Sequence, residues 1–239
     1  MRFRSSNLVF KKLFGIDKDL SYEVCTYKGI AGKTMFFLLM TVLGAGLGIA
    51  LLQFAPEALI VLLALSGILT LIFSIVAICF PKQSKVFGSL YCITEGMVVG
   101  LLSLLCMALV GGAVSIALLS TVAVFAVVSL LYAGNIVKVN GKFMRFLSIF
   151  AISFIIGMLI VLVFSMFTEI NYGLTILINA ITIFLATLYL FFDLENIRQV
   201  VEGEYPKQYE WYAAFGLAFT LIWLYVEILK LVIRLADRN

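Results

Sequence analysis

Three acids and one lysine of this 239-residue chain stand where charge is expensive. Glu95 lies inside the apolar run SLYCITEGMVVG, with no basic residue three or four positions away to neutralise it. Asp193 closes another run in LYLFFDLENIRQVV, where Tyr189, one helical turn earlier, could donate a hydrogen bond to it. Glu227 sits in LIWLYVEILKLVIRL, with Lys230 three residues on and on the same helical face. An ionisable group within a membrane span costs at least ~2.5 kcal/mol and marks a proton or ion pathway often enough to be read that way first. Each has a plainer reading as well: a protonated packing carboxyl for Glu95, a headgroup-facing acid for Asp193, a local ion pair for Glu227 and Lys230.

The chain contains no histidine. Ser-His-Asp and Cys-His catalysis and His-ligated zinc or haem are therefore excluded, so any proton chemistry falls to carboxylates. Cys25, Cys79, Cys92 and Cys106 show no CxxC spacing, and neither a disulfide framework nor a metal cluster is expected of them. The chain is not expected to be an enzyme.

The elements that must position these acids are membrane-spanning helices. Hydrophobic residues make up 64% of the chain, charged residues only 13%, and mean hydropathy is +1.16. Seven apolar segments, each bounded by charges, glycines or a proline, are predicted at 35–54, 58–80, 87–110, 113–132, 146–167, 173 to about 193 or a turn beyond, and 211–233. The expected class is an all-α polytopic bundle: a basic N-terminal segment over 1–34, a seven-helix transmembrane domain over 35–235 and a short tail over 236–239. Residues 1–33 are mixed and polar, unlike a cleavable signal peptide.

Most of the 17 lysines and arginines lie in the N-terminal segment and in the second-to-third, fourth-to-fifth and sixth-to-seventh connections. Orientation follows cytoplasmic positive charge, so the N-terminus is expected in the cytoplasm. The +4 net charge belongs to these loops and points to no nucleic acid. Lys230, Arg234 and Arg238 disagree with that orientation, leaving two alternatives: a tolerated basic tail outside, or a re-entrant last segment. Gly44 with Gly48, and Gly96 with Gly100, stand four apart and suit close packing within the bundle more readily than a dimer interface. Spacing alone does not show that Asp193 and Glu227 meet. They approach only if the start of the last helix, around 205–215, projects beyond the membrane or lies in its interface.

The stretch FFDLENIRQVVEGEYPKQYEWYAAFGLAFTLIWLYVEILKLVIRL, residues 191–235, closely resembles the C-terminal signature of the Bax inhibitor-1 family in its prokaryotic-type branch. SLYCITEGMVVG resembles the matching third-span segment of that branch. The resemblance implies a seven-helix bundle with a central C-terminal helix, in a bacterial plasma membrane. It also implies a calcium leak governed by a pH-sensitive pair of carboxylates. Asp193 matches the family's acid in the sixth span, and Glu227, in LYVE where the family has LYLD, matches the other. The family's basic partner near the end of the second span leaves Lys82 or Lys85 as candidates. On this reading Asp193 and Glu227 share one proton as a latch and bind calcium when it leaves, while Glu95 lines or tunes the path. Tyr189 and Lys230 join as tuning residues. No cofactor is expected beyond calcium as cargo, and partners are the lipid bilayer and other membrane proteins.

Three rivals are weighed against it. A retinal protein would use Lys230 and Glu95 as Schiff base and counter-ion, but needs the opposite orientation. An intramembrane aspartyl protease lacks its GxGD element here. A non-conducting scaffold for other membrane proteins is the third.

Overall fold

The computed structural model describes residues 23–168 and 171–236. The rest of the basic N-terminal segment, with Arg2, Arg4, Lys11, Lys12 and Lys18, lies outside the described residues, as does Arg238. Seven helices follow in order: α1 Tyr27–Phe54, α2 Leu59–Cys79, α3 Ser84–Leu109, α4 Ala113–Ala133, α5 Gly141–Ser165, α6 Tyr172–Glu202 and α7 Tyr209–Ala236. Each of the seven is long and apolar enough to cross a membrane, and no strand is present among the described residues.

Several helices outrun their apolar segments, because caps and helix-forming polar residues extend them. Thr26 caps α1 by accepting from the Gly29 amide, so that helix starts two turns before the apolar run. Asn140 caps α5 by accepting from the Lys142 and Phe143 amides. Nothing after Asp193 breaks the sixth helix until Gly203, so α6 continues about 14 Å past the acid at 1.5 Å per residue. The seventh helix is unbroken from Tyr209 to Ala236, about 42 Å long. A re-entrant segment needs a turn within it, and α7 has none; that alternative falls.

Helix α7 is the centre of the bundle, packing against α1, α3, α4 and α6. Its small side chains Ala213, Ala214 and Ala218 are buried and let neighbouring backbones come close. An aromatic ladder ties it to α1 and α3: Phe37 to Trp211 at 5.7 Å, Phe37 to Phe215 at 5.9 Å, Tyr91 to Phe215 at 5.4 Å and Tyr91 to Phe219 at 5.3 Å. Further along, the Ser103 and Tyr225 hydroxyls share a 2.9 Å hydrogen bond between α3 and α7.

The four spaced glycines all serve one contact, between α1 and α3. A Cβ built on Gly44 would stand 2.2 Å from the Ile93 carbonyl oxygen, and one on Gly96 would stand 2.2 Å from that of Thr41. Gly100 faces Ala45 at 2.6 Å and Gly48 faces Met97 at 3.0 Å on the same measure. The two motifs therefore interlock within the chain. By contrast, α2 and α5 lie at the edge, and only Leu147 and Ala151 of α5 are buried.

Candidate functional site

The hairpin of α6 and α7, joined by residues 203–208, carries two of the three predicted acids on its inner seam. Asp193 of α6 is 8% exposed and points at α7, where its Oδ1 would lie 3.5 Å from a Cβ on Gly216. The Thr220 hydroxyl, which donates to the Gly216 carbonyl oxygen at 3.2 Å, lies beside it. Asp193 Oδ2 is buried without a hydrogen-bond partner. The expected bond from Tyr189 does not form. Its ring is drawn instead against Trp223 and Phe192, at 6.0 and 6.1 Å between centroids, in a small core with Leu147 and Leu185.

Glu227 belongs to a separate group deeper along the seam. The Asn179 side-chain amide of α6 donates to Glu227 Oε2 at 2.7 Å and to its backbone carbonyl at 3.1 Å. Lys230 pairs with the other carboxylate oxygen, as its position three residues on predicts. Asn179 Oδ1 is buried and has no partner. Past this group the seam closes with the Arg234 guanidinium donating to the Thr175 carbonyl at 3.2 Å and the Tyr172 hydroxyl donating to the Arg234 carbonyl.

The structure does not bring Asp193 and Glu227 together, so in this arrangement they cannot share a proton or jointly hold a calcium ion. Glu227 lies seven residues beyond Thr220 on α7, and Asn179 lies fourteen before Asp193 on α6. Those offsets are about 10 and 21 Å of helix rise. The cause is hairpin register: a short antiparallel connection sets Asp193 opposite residues 216–220. No group of three or more acids or cysteines that could hold a metal occurs among the described residues.

The remaining candidates fall elsewhere. Glu95 of α3 is half-buried beside Tyr91 and Cys92, with no hydrogen bond or ion pair. Lys82 is exposed in the 3-10 turn Pro81–Gln83. Lys85 is exposed too, its ammonium 5.2 Å from the Trp211 ring centroid. Neither lysine pairs with Asp193 or Glu227, because both sit at the entrance to α3, and Lys85 is engaged with the aromatic face at the start of α7.

Sequence reasoning missed the least exposed acid among the described residues, Glu210. It is 0% exposed at the start of α7, takes the Thr26 amide at 2.8 Å and the Thr26 hydroxyl at 3.1 Å, and pairs with Lys33. Its partners Thr26 and Lys33 lie at the other end of the sequence, so no local pattern pointed to it. A second polar group, also missed, joins α4 to α6. Glu195 accepts from the Tyr132 hydroxyl at 2.6 Å, from Arg198 at 2.6 and 3.0 Å and from Gln199 at 2.9 Å. It borders a cavity of about 380 Å³ that Asn135 and Lys138 also line.

No curated protein matches the sequence. The model of the Bax inhibitor 1 like family, however, matches residues 7–237, which takes in the α6–α7 hairpin with every acid on its seam and the α1–α3 glycine contact. A seven-helix bundle closed around its last helix, with FFDLEN on α6 and LYVE at a separate level of α7, is a member of the Bax inhibitor 1 like family.

Proposed function

We propose that this membrane protein is a pH-sensitive calcium leak, with calcium as cargo rather than cofactor and no catalysed reaction. The observation that supports it is the Asp193 carboxyl: buried, pressed against the central helix at Gly216, and left with an unpartnered oxygen. Protonated, the group is neutral and tolerates that setting. Ionised, it is a charge with an unmet oxygen against hydrocarbon and helix backbone, and it is relieved by water, by a hard cation or by movement of α7. Asp193 alone, rather than a shared-proton pair, is then the latch.

Glu227 serves as a second, independent station. Its carboxylate is held by Asn179 and already neutralised by Lys230, a tethered cation that an entering ion must displace. Glu95 is assigned to tuning the path from α3. The family resemblance suggests a bacterial inner membrane, and loop charge favours an N-terminus in the cytoplasm.

The test is calcium influx into liposomes holding the purified protein, followed against pH. Flux is expected to rise with pH in the wild type and to become nearly pH-independent in Asp193→Asn. An Asp193→Asn profile that follows the wild type rejects the latch. Absence of any ion flux in well-folded protein favours the scaffold reading.

A further inference from the structure

The start of α7 is held by a clasp that the acids of the seam do not explain. Residues 23–26 run antiparallel to the α6–α7 loop, with Val24 opposite Pro206. The Cys25 amide donates to the Tyr205 carbonyl at 2.8 Å, and the Lys207 amide to the Glu23 carbonyl at 2.8 Å. Lys207 and Glu23 also form an ion pair, and the Cys25 thiol donates to the Pro206 carbonyl at 3.2 Å.

Glu210 completes the clasp from the other side. Its carboxylate binds Thr26 twice and Lys33 once, with no exposed surface. Gly29 lies so close that an added Cβ would stand 2.3 Å from Glu210 Oε1, so a side chain there would push the carboxylate out of its place. Lys33 and Lys85 both lie 5.2 Å from the ring centroid of Trp211, the next residue on α7. A buried carboxylate that lost Lys33 or Thr26 would be left uncompensated, so the contact resists sliding far more than surface pairs do.

We infer that Glu210, Lys33 and Thr26 are positioning residues that fix the axial place of α7, and through it the face that α7 presents to Asp193. This rests on the leak reading above. Gly216, the contact of Asp193, is six residues from Glu210, about 9 Å along the same helix. Opening the clasp frees that segment to shift, whereas covalent closure holds it.

Two measurements decide it. The first is hydrogen exchange on wild type and Glu210→Ala, in the same detergent or nanodisc. Glu210→Ala should raise exchange at least tenfold in residues 26–33 and 209–216 while leaving 117–128 of α4 unchanged, and Glu210→Gln, which keeps an acceptor for Thr26, should fall between. Equal protection of 209–216 in wild type and Glu210→Ala overturns the inference.

The second is a reversible lock, Val24→Cys with Pro206→Cys in a Cys25→Ser background. These positions form a non-hydrogen-bonded antiparallel pair, whose Cα atoms lie about 4.5 Å apart, within disulfide range. The oxidised lock should cut calcium flux at high pH at least tenfold, and reduction should restore it. A lock verified by mass that leaves flux unchanged in a conducting protein overturns the coupling to Asp193. If the wild type conducts nothing, the leak reading fails, and the exchange experiment still decides the clasp.

Discussion

Separating Asp193 from Glu227 changes what a pair of substitutions should do. Two carboxylates sharing a proton at about 4 Å interact by roughly 4 kcal/mol at an effective dielectric of 20, worth about three pH units in a titration midpoint. The offsets along α6 and α7 instead put these groups about 10 to 21 Å apart, where the same expression gives roughly 0.8 to 1.7 kcal/mol. The ammonium of Lys230 on Glu227 reduces that further. Glu227→Gln removes a negative charge, so a proton leaves Asp193 more easily and the midpoint of flux moves to lower pH. The shift should be at most about one pH unit. In the double variant Asp193→Asn with Glu227→Gln the shift has no carboxyl left to act on, so flux should follow Asp193→Asn alone and stay nearly pH-independent. The assay is calcium-dye fluorescence in liposomes stepped through pH, with protein content matched by quantitation of the same vesicles. A shift near three units in Glu227→Gln, or a flux pH dependence abolished as fully there as in Asp193→Asn, refutes the separation.

The α1–α3 contact makes Gly44→Ala and Gly96→Ala destabilising, since each Cβ would meet a carbonyl oxygen at 2.2 Å. A cost of at least about 1–3 kcal/mol is expected, read as a lower midpoint of thermal unfolding in detergent. Gly46→Ala on the same helix has open space and should leave the midpoint unchanged or raise it, which separates packing from helix propensity. Asn179→Leu removes both Asn179 hydrogen bonds to Glu227, leaving Lys230, and should cost about 1–3 kcal/mol in the same melt, while leaving the pH midpoint of flux in place. At Cys25, burial pushes the thiol up to about 11, with Glu210 nearby adding to it. At pH 7.5 that leaves about one thiol in a few thousand ionised, so maleimide labelling of Cys25 should be negligible and should rise only as pH approaches 11. Labelling of Cys25 at neutral pH as fast as a free thiol would show that the clasp is open in solution.

The seven spans were legible in the sequence because bilayer thickness writes itself as long apolar runs with charged ends. Helix ends were less so: Tyr27 to Lys33 and Leu194 to Glu202 mix charged with apolar residues, and hydropathy is blind to a helix that stays wound past its apolar run, although the sixth span was read as reaching up to a turn beyond Asp193. The ion pair of Glu227 with Lys230 could be read because both lie on one helix. That Gly44, Gly48, Gly96 and Gly100 mark close packing within the bundle could be read from their spacing; that the two pairs pack on each other could not. Glu210 was missed because its partners, Thr26 and Lys33, lie far away in sequence and no local pattern points to them.

The Asp193–Glu227 pairing failed for a reason that is itself in the sequence. Two helices joined by a short connection run antiparallel, so residues opposite one another have numbers of nearly constant sum. Asp193 meets 216–220, and Asn179 meets Glu227, in agreement with that rule. Bringing the two acids level would require α7 to slide along α6 by at least the seven residues between Thr220 and Glu227, about 10 Å or two turns. Such a slide would pull Glu210 from Thr26 and Lys33, lift Phe215 and Trp211 out of their contacts with Phe37, and break the Tyr225 bond to Ser103. Each aromatic contact is worth about 0.5–1.5 kcal/mol, and a buried ion pair broken on one side costs about 3–5 kcal/mol. One proton binding step supplies only 1.36 kcal/mol for each unit by which pH departs from the group's midpoint. A proton at Asp193 can therefore bias a tilt or local parting of α7 at Gly216, but not a two-turn translation, and the two acids must act at separate levels of the seam.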